Sequence, residues 1–197
     1  GEPLLRREIF EIINFTKKIK TVKSINLTTN GILLSDMLHE LKSSGLSGIN
    51  ISIDTLNPEK YKTISRRDSF DKVLDSFHQI TNQNLFKIKI NVVAMKNFND
   101  DELVDFVELT KYNDITVRFI ELMPFDSHQI WKTGKFYKAG EILSDLKLKY
   151  NNLIKEQGSS TEYHIFRMKG YLGKVAIIPS YTRSLCGKCN RIRITAD

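Results

Sequence analysis

The chain of 197 residues contains two cysteines, Cys186 and Cys189, three apart in the stretch SLCGKCNRIRITAD, with Arg191 and Arg193 directly behind them. A Cys-x-x-Cys pair fits three chemistries: half of a zinc site, a dithiol for redox exchange, or half of the thiolate set around an iron–sulfur cluster. Zinc takes four ligands, and His39, His78, His128 and His164 are scattered, none at ligand spacing from another. A redox pair of the thioredoxin type opens a helix after a strand, whereas this pair lies at the far end of the chain after a hairpin pattern. An iron–sulfur half-site agrees with the spacing, and its remaining ligands are then expected outside the chain. Arg191 and Arg193 alternate, so both project from one face of an extended segment, where guanidinium groups favour ionised sulfur. A pair of solvated surface arginines is the plain alternative.

Lys89 and Arg118 are the next candidates. Each interrupts a run that otherwise reads as an apolar strand, KIKINVVAM and ITVRFIELM. A parallel strand covered on both faces seldom tolerates a cation, so each calls for an anion. A phosphate group would serve, gripped by the paired donors of arginine. An internal ion pair with Glu121 or Asp54 would serve as well. The opening Gly1-Glu2-Pro3 reads, on composition, as a turn and N-terminal cap.

The elements that must position these residues alternate in period. Leu5, Ile9, Ile12, Ile13 and Ile19 fall on one helical stripe. VKSINLTTNG reads as a strand closed by an Asn-Gly turn, and SDMLHELKSSG as a helix with Ser35 at its cap and Gly45 at its stop. GINISIDTL is a second strand, ended by Asn57-Pro58. A helix follows from Ser69 to Ile80, with Phe70, Val73, Leu74, Phe77 and Ile80 on one face. FKIKINVVAM, NDDELVDFVELTKY and ITVRFIELM continue as strand, helix and strand. Such repetition predicts right-handed βα units and an α/β fold with a parallel sheet, either open and doubly wound or part of a (β/α) barrel. In both, function gathers at the carboxyl ends of the strands. Neither a G-x-G-x-x-G nor a P-loop follows any strand. Beyond Met123 a long irregular connection leads to a helix, EILSDLKLKY, and a β-hairpin, YHIFRMKGYLGKVAIIPSY, read as a C-terminal extension laid over the sheet. The expected division is 1–123 and 124–197.

A net charge of +7 and a pI near 9.3 favour anionic partners, although most of the lysines read as solvated helix faces. No block of five consecutive basic residues suggests a nucleic-acid tail, and no run of eighteen apolar residues suggests a membrane span. Two lone cysteines point to a reducing compartment. The first residue is Gly1 and not Met, so the true N-terminus is expected to lie outside the chain.

In order and spacing, GEPLLR, LTTNG, ISIDTL, KINVVAM, RFIELMPF and CGKCNRIRITAD together resemble the GTP 3′,8-cyclase family of radical S-adenosylmethionine enzymes. The resemblance covers essentially the whole chain. It implies an incomplete (β/α) barrel of parallel strands, with the hairpin in the C-terminal extension, and two [4Fe–4S] clusters. The first, which binds S-adenosylmethionine, takes cysteines that precede Gly1. The second would use Cys186, Cys189 and a third cysteine past Asp197, leaving one iron open to guanine. The resemblance assigns Gly1, Glu2, Ser52 and Met123 to S-adenosylmethionine, and Thr28, Lys89, Arg118, Arg191, Ile192 and Arg193 to GTP. Reductive cleavage of the cofactor then yields a 5′-deoxyadenosyl radical that takes a hydrogen from C3′ of GTP, and C3′ closes on C8, the first step of molybdenum cofactor synthesis. The resemblance further implies an electron donor, a downstream cyclic pyranopterin monophosphate synthase, an open question of homodimer formation, no membrane and no nucleic acid. It implies a cytoplasmic location, or the mitochondrial matrix in a eukaryote. With both cluster sites cut, the resemblance implies that the chain is an internal fragment, expected to be inactive alone. Two rivals are another radical S-adenosylmethionine enzyme with an auxiliary cluster and a basic RNA-binding module with a zinc half-site. The latter lacks aromatic residues between its arginines.

Overall fold

The computed structural model describes residues 1–123, 135–157 and 164–182. In chain order these form α1 (Ile9–Lys17), β1 (Asn26–Thr29), α2 (Leu34–Ser44), β2 (Gly48–Ser52), α3 (Pro58–Ser65), α4 (Phe70–Gln83), β3 (Lys87–Lys96), α5 (Leu103–Glu108), β4 (Ile115–Glu121), β5 (Lys135–Phe136), α6 (Ala139–Lys149), β6 (Leu153–Glu156), β7 (His164–Met168) and β8 (Lys174–Ile178). Short 3-10 turns occupy Pro3–Leu5 and Asp100–Glu102.

The sheet runs β1-β2-β3-β4-β8-β7-β6, with β5 paired to β3 off this path. From β1 to β8 every neighbour is parallel, and β7 and β6 follow antiparallel. This is a mixed α/β architecture dominated by parallel pairing. Sequential order with right-handed crossovers sends the connecting helices to a single face. The burial pattern follows: Ile88, Ile90, Val92 and Ala94 of β3, and Ile115, Val117 and Phe119 of β4, are buried in the apolar core. Phe106 of α5 meets Phe119 edge-on, 6.2 Å between ring centres.

The four βα units and the hairpin expected from periodicity are present, but the hairpin does not lie over the sheet. Its second strand, β8, enters the plane beside β4, with Thr116 opposite Lys174 and Phe119 opposite Ile177. Val175, Ala176 and Ile177 are all buried, as suits a strand with neighbours on both edges. Three other expectations change. The stripe on α1 buries only Ile9 and Ile13, while Leu5, Ile12 and Ile19 are exposed. Ser35 is not the cap of α2: it lies inside the helix, and its N–H donates to Ser76 Oγ of α4. Asn57-Pro58 ends the β2 loop and also starts α3, because Asn57 Oδ1 accepts from the N–H groups of Glu59 and Lys60 while Pro58 fits the first turn. Gly45 does close α2, at φ +106°.

Gly173, at the entry to β8, packs against the start of β4. A Cβ there would stand 2.3 Å from Ile115 O and 2.6 Å from Asn113 O, both backbone atoms. Gly173→Ala is expected to cost about 1–3 kcal/mol by forcing β8 from β4. Gly140→Ala, in open space within α6, is expected to be neutral or stabilising by a few tenths of a kcal/mol up to about 1 kcal/mol. Urea titration of the two variants checks the contrast, and equal stability would contradict the packing described.

Candidate active site at the strand ends

The side chains that do not face the helices form a polar surface. Thr28, Asn50, Lys89, Thr116 and Lys174 stand opposite one another in one row across β1, β2, β3, β4 and β8. Ser52, Asn91 and Arg118 form the next row toward the carboxyl ends. Neighbouring residues in register on parallel strands share a face, so Thr28, Lys89, Arg118 and Ser52 come together on one surface. Asn50 Nδ2 donates to Thr28 Oγ1 at 3.0 Å. Asn91 Oδ1 is buried without a hydrogen-bond partner among the described residues. Lys174 is turned to Glu156, which also holds Arg167. A parallel sheet usually hides both faces beneath apolar side chains; a row of polar groups here marks a face built for something other than a helix.

At the carboxyl ends this surface opens into a cleft of about 430 Å³, lined by Asn30, Ser52, Asp54, Met95, Glu121 and Met123, with apolar walls from Ile53, Val93 and Ile120. Such a size and lining suit a small-molecule site. A larger hollow, about 520 Å³, runs along residues Glu8 to Lys18. One helix and its entry form it alone, so it encloses nothing, and the cleft is the candidate.

Four polar groups shape the cleft. Glu2 accepts from Leu4 N at 3.1 Å, Thr29 Oγ1 at 2.7 Å and Asn30 N at 2.8 Å, so the Gly-Glu-Pro segment is more than a cap: it is tied to the end of β1. A carboxylate offers about four acceptor positions, which leaves Glu2 one for a ligand. Asn99, 3 % exposed, donates to Asp54 O and Val93 O and accepts from Met95 N, fixing three cleft residues by their backbones. Asp54 accepts from Val93 N at 2.8 Å; burial pushes its carboxyl up from the ordinary 3.8 to about 6, against the pull of that N–H. Glu121 is buried, which alone would raise its carboxyl, but hydrogen bonds from Thr182, Ala139 and Tyr181 outweigh this and hold it below the usual range. Glu121 is thus engaged by Thr182, Ala139 and Tyr181, and Asp54 by Val93.

Gly1 is exposed beside Glu2, and Met123 stands at the cleft rim, 47 % exposed. His39 and His78 are exposed on helices, and His164 stacks on Phe166. Cys186, Cys189, Arg191, Ile192, Arg193 and His128 lie outside the described residues. Among the described residues no group of three or more His, Cys, Asp or Glu is placed to hold a metal, and no cysteine precedes Cys186. The described part therefore fits the organic portion of a cofactor in its cleft and supplies no cluster ligand. Asn30 and Asp54 stand at the carboxyl ends of β1 and β2, where the βα pattern gathers function, whereas Asn99 carried no such signal. Glu121 carried a signal: it occupies the buried register of β4, after Val117 and Phe119.

Residues 1–110 match the family model described as the Radical SAM superfamily, and residues 115–197 match that described as Molybdenum Cofactor Synthesis C. The whole chain is 42% identical to a protein named GTP 3′,8-cyclase from Chlorobaculum tepidum, covering 60% of it. It is equally identical to a GTP 3′,8-cyclase from Peptoclostridium acidaminophilum, again over 60% of that protein. It is also 42% identical to molybdenum cofactor biosynthesis protein 1 of Bos taurus, over 31% of that protein. The chain thus spans about three fifths of the length of the first two relatives.

Because the carboxyl of Asp54 titrates higher in the fold than in the unfolded chain, the folded state binds the extra proton between pH 3.8 and about 6. Stability from this group is complete below the lower value and is lost as pH rises through the upper one. Asp54→Asn keeps an acceptor for Val93 N and removes the titration. The variant is expected to be more stable than the wild type at pH 8 by about 1–3 kcal/mol, and to lose that advantage toward pH 4. Urea unfolding at the two pH values measures it; a pH-independent difference would contradict the assignment.

Proposed function

The chain belongs to the radical SAM superfamily, and from that premise we propose that its parent protein is a GTP 3′,8-cyclase acting in the first step of molybdenum cofactor biosynthesis. A radical SAM domain implies a [4Fe–4S] cluster and S-adenosylmethionine. The observation that carries the substrate reading is the polar face, on which Thr28, Lys89 and Arg118 converge beside the Ser52–Met123 cleft. The names of the relatives and the match at the C-terminal end point the same way. The further reading has a part-closed (β/α) barrel over residues 1–123, a C-terminal extension over 124–197, and a second [4Fe–4S] cluster held by Cys186, Cys189 and a third thiolate beyond them. The partners proposed are GTP, an electron donor and a downstream cyclic pyranopterin monophosphate synthase, with homodimer formation left open. The compartment is a bacterial cytoplasm or a mitochondrial matrix. No helix among the described residues is long and apolar enough to cross a membrane.

When bound, S-adenosylmethionine and its reduced cluster supply the hydrogen-atom abstraction. The residues of the chain bind and orient. The Glu2 carboxylate keeps one acceptor position for the cofactor's ammonium group, with Gly1 beside it. Ser52 offers a hydroxyl on the floor of the cleft, and Met123 covers its rim. Lys89 and Arg118 neutralise the triphosphate, with Thr28 as a neutral donor at the far end of the row, and Arg191, Ile192 and Arg193 take the nucleotide near the substrate cluster. Apolar walls at Ile53, Val93 and Ile120 keep water from the reacting carbon. Holding two ligands in line within one enclosure is what the protein contributes.

The test uses the full-length, cluster-reconstituted protein. Arg191→Ala or Arg193→Ala is expected to weaken GTP binding roughly ten- to hundred-fold, the scale of one charged hydrogen bond, while cleavage of S-adenosylmethionine persists. Cys186→Ala is expected to lose about half of the bound iron, since one of two equal clusters would go. Undiminished GTP affinity in both arginine variants, or full iron content in the cysteine variant, would refute the assignment.

A further inference from the structure

Two lysines stand in the row that crosses the polar face, Lys89 on β3 and Lys174 on β8, with Thr116 of β4 between them. Arg118 follows two residues after Thr116, on the same strand and the same face. With strands about 4.8 Å apart and a rise of about 3.3 Å per residue, the Cα atoms of Lys89 and Lys174 each lie roughly 8 Å from that of Arg118 and roughly 10 Å from each other. The three cations thus form a triangle around Thr116, a span that a chain of three linked phosphates can bridge. The terminal phosphate alone brings up to about two negative charges at neutral pH, and the inner two add about one each. Lys89 and Arg118 together balance only about half of that.

The Lys174 ammonium is paired with the Glu156 carboxylate, which also accepts from Arg167 Nε at 2.8 Å. Glu156 belongs to the same face: on β6 it stands opposite Ile165, Ile165 opposite Ala176, and Ala176 opposite Arg118. Lys174 reaches it across β7, and a stem of that length reaches as far in the other direction, over Thr116 toward Lys89. Both partners are partly exposed, and such an ion pair is worth little. Glu156 keeps its second cation when the first departs, because Arg167 is also fixed by Nη1 to Leu172 O at 2.7 Å. We propose that Lys174 is a third phosphate-binding residue of the polar face, exchanging the Glu156 carboxylate for the terminal phosphate of the nucleotide. The inference rests on the proposed reading in which this face takes GTP. It adds two residues to that reading: a cation that grips the far phosphate, and a carboxylate that competes for it.

Methionine is the informative substitution at Lys174, since it keeps an unbranched stem, removes the charge and leaves Glu156 compensated by Arg167. In full-length, cluster-reconstituted protein, Lys174→Met is expected to weaken GTP binding about ten-fold and GMP binding by no more than about two-fold, read by equilibrium dialysis. Glu156→Gln removes the competitor and is expected to tighten GTP binding about three-fold, a gain that the double variant should lose. The glutamine variant decides the matter should Lys174→Met fail to fold: unchanged or weaker GTP binding there overturns the proposal. Equal weakening of GTP and GMP in Lys174→Met, with a lowered melting temperature, marks the ion pair as a support of the hairpin and also overturns it. Wild-type GTP affinity in Lys174→Met, with Lys89→Met weakened about ten-fold or more, overturns this proposal and leaves the functional reading standing. Wild-type GTP affinity in Lys89→Met and Arg118→Met as well refutes the functional reading itself.

Discussion

Strict alternation along β3 and β4 is the constraint from which the rest of the molecule follows. Ile88, Ile90, Val92 and Ala94 must lie under the helices, so Lys89, Asn91 and Val93 have no choice but the other face. A one-residue slip would expose the whole aliphatic set and bury both cations. The cost of that slip, about 0.8 kcal/mol for each CH₂ taken back into water, locks the register. The same lock fixes Lys89 two strands from Thr28, and Arg118 beside Asn91. Packing on one side of the sheet thereby determines the chemistry on the other. The sequential order β1-β2-β3-β4 makes the division clean, because every crossover helix is sent to the same side.

What alternation cannot do is hold the loops at the carboxyl ends, and three glutamates do this in the same way. Glu2 ties the opening segment to Thr29 and Asn30. Glu102 accepts from Thr55 Oγ1, Leu56 N and Lys60 Nζ, anchoring the loop after β2 to the turn before α5. Glu121 anchors the turn after β8 and the start of α6. In each case a charged acceptor receives backbone N–H groups that no ladder or helix can satisfy, and such bonds are stronger than neutral ones. Removing an acceptor from this setting leaves desolvated donors behind, which is why the effect of substitution exceeds the worth of one hydrogen bond.

Much of this was legible in the sequence because period and turn chemistry are local. Four of the five apolar positions from Phe70 to Ile80 form the packed face of α4, with Leu74 half-buried outside the core cluster, and Gly45 does adopt the left-handed stop. Lys89 and Arg118 stood out as cations in apolar runs, and they share a face. Illegible were features set by contacts far apart in the chain. Nothing local says that β8 enters beside β4, fifty-odd residues away, rather than lying across it. Ile12 on α1 and Ile19 just beyond it carry the right period, yet only Ile9 and Ile13 enter the core. Asn99 is invisible as a cleft residue because its amide works on Asp54 and Val93, forty-five and six residues upstream. Glu121 lay between these cases: its register predicted burial, and only the fold supplied its donors.

The layout also bears on why one surface would serve two ligands. The row from Thr28 to Thr116 crosses three gaps between strands, about 14 Å at ~4.8 Å each. That is room for an extended nucleotide lying across the strands. The Ser52–Asn91–Arg118 row sits two residues nearer the carboxyl ends, a step of about 7 Å, and the cleft begins there, at Ser52. On the proposed reading the cofactor occupies the cleft and the nucleotide the rows beneath, so the transferred hydrogen crosses the boundary near Ser52 and Asn91. Hydrogen-atom transfer requires reacting atoms roughly 3–3.5 Å apart, a tolerance tighter than either step of the lattice. Strand register alone is too coarse to set it. The fine adjustment must come from groups that hold the strand ends against one another, and Asn99, bonded to the backbones of Asp54, Val93 and Met95, and Glu121, bonded to those of Ala139, Tyr181 and Thr182, are placed for that task.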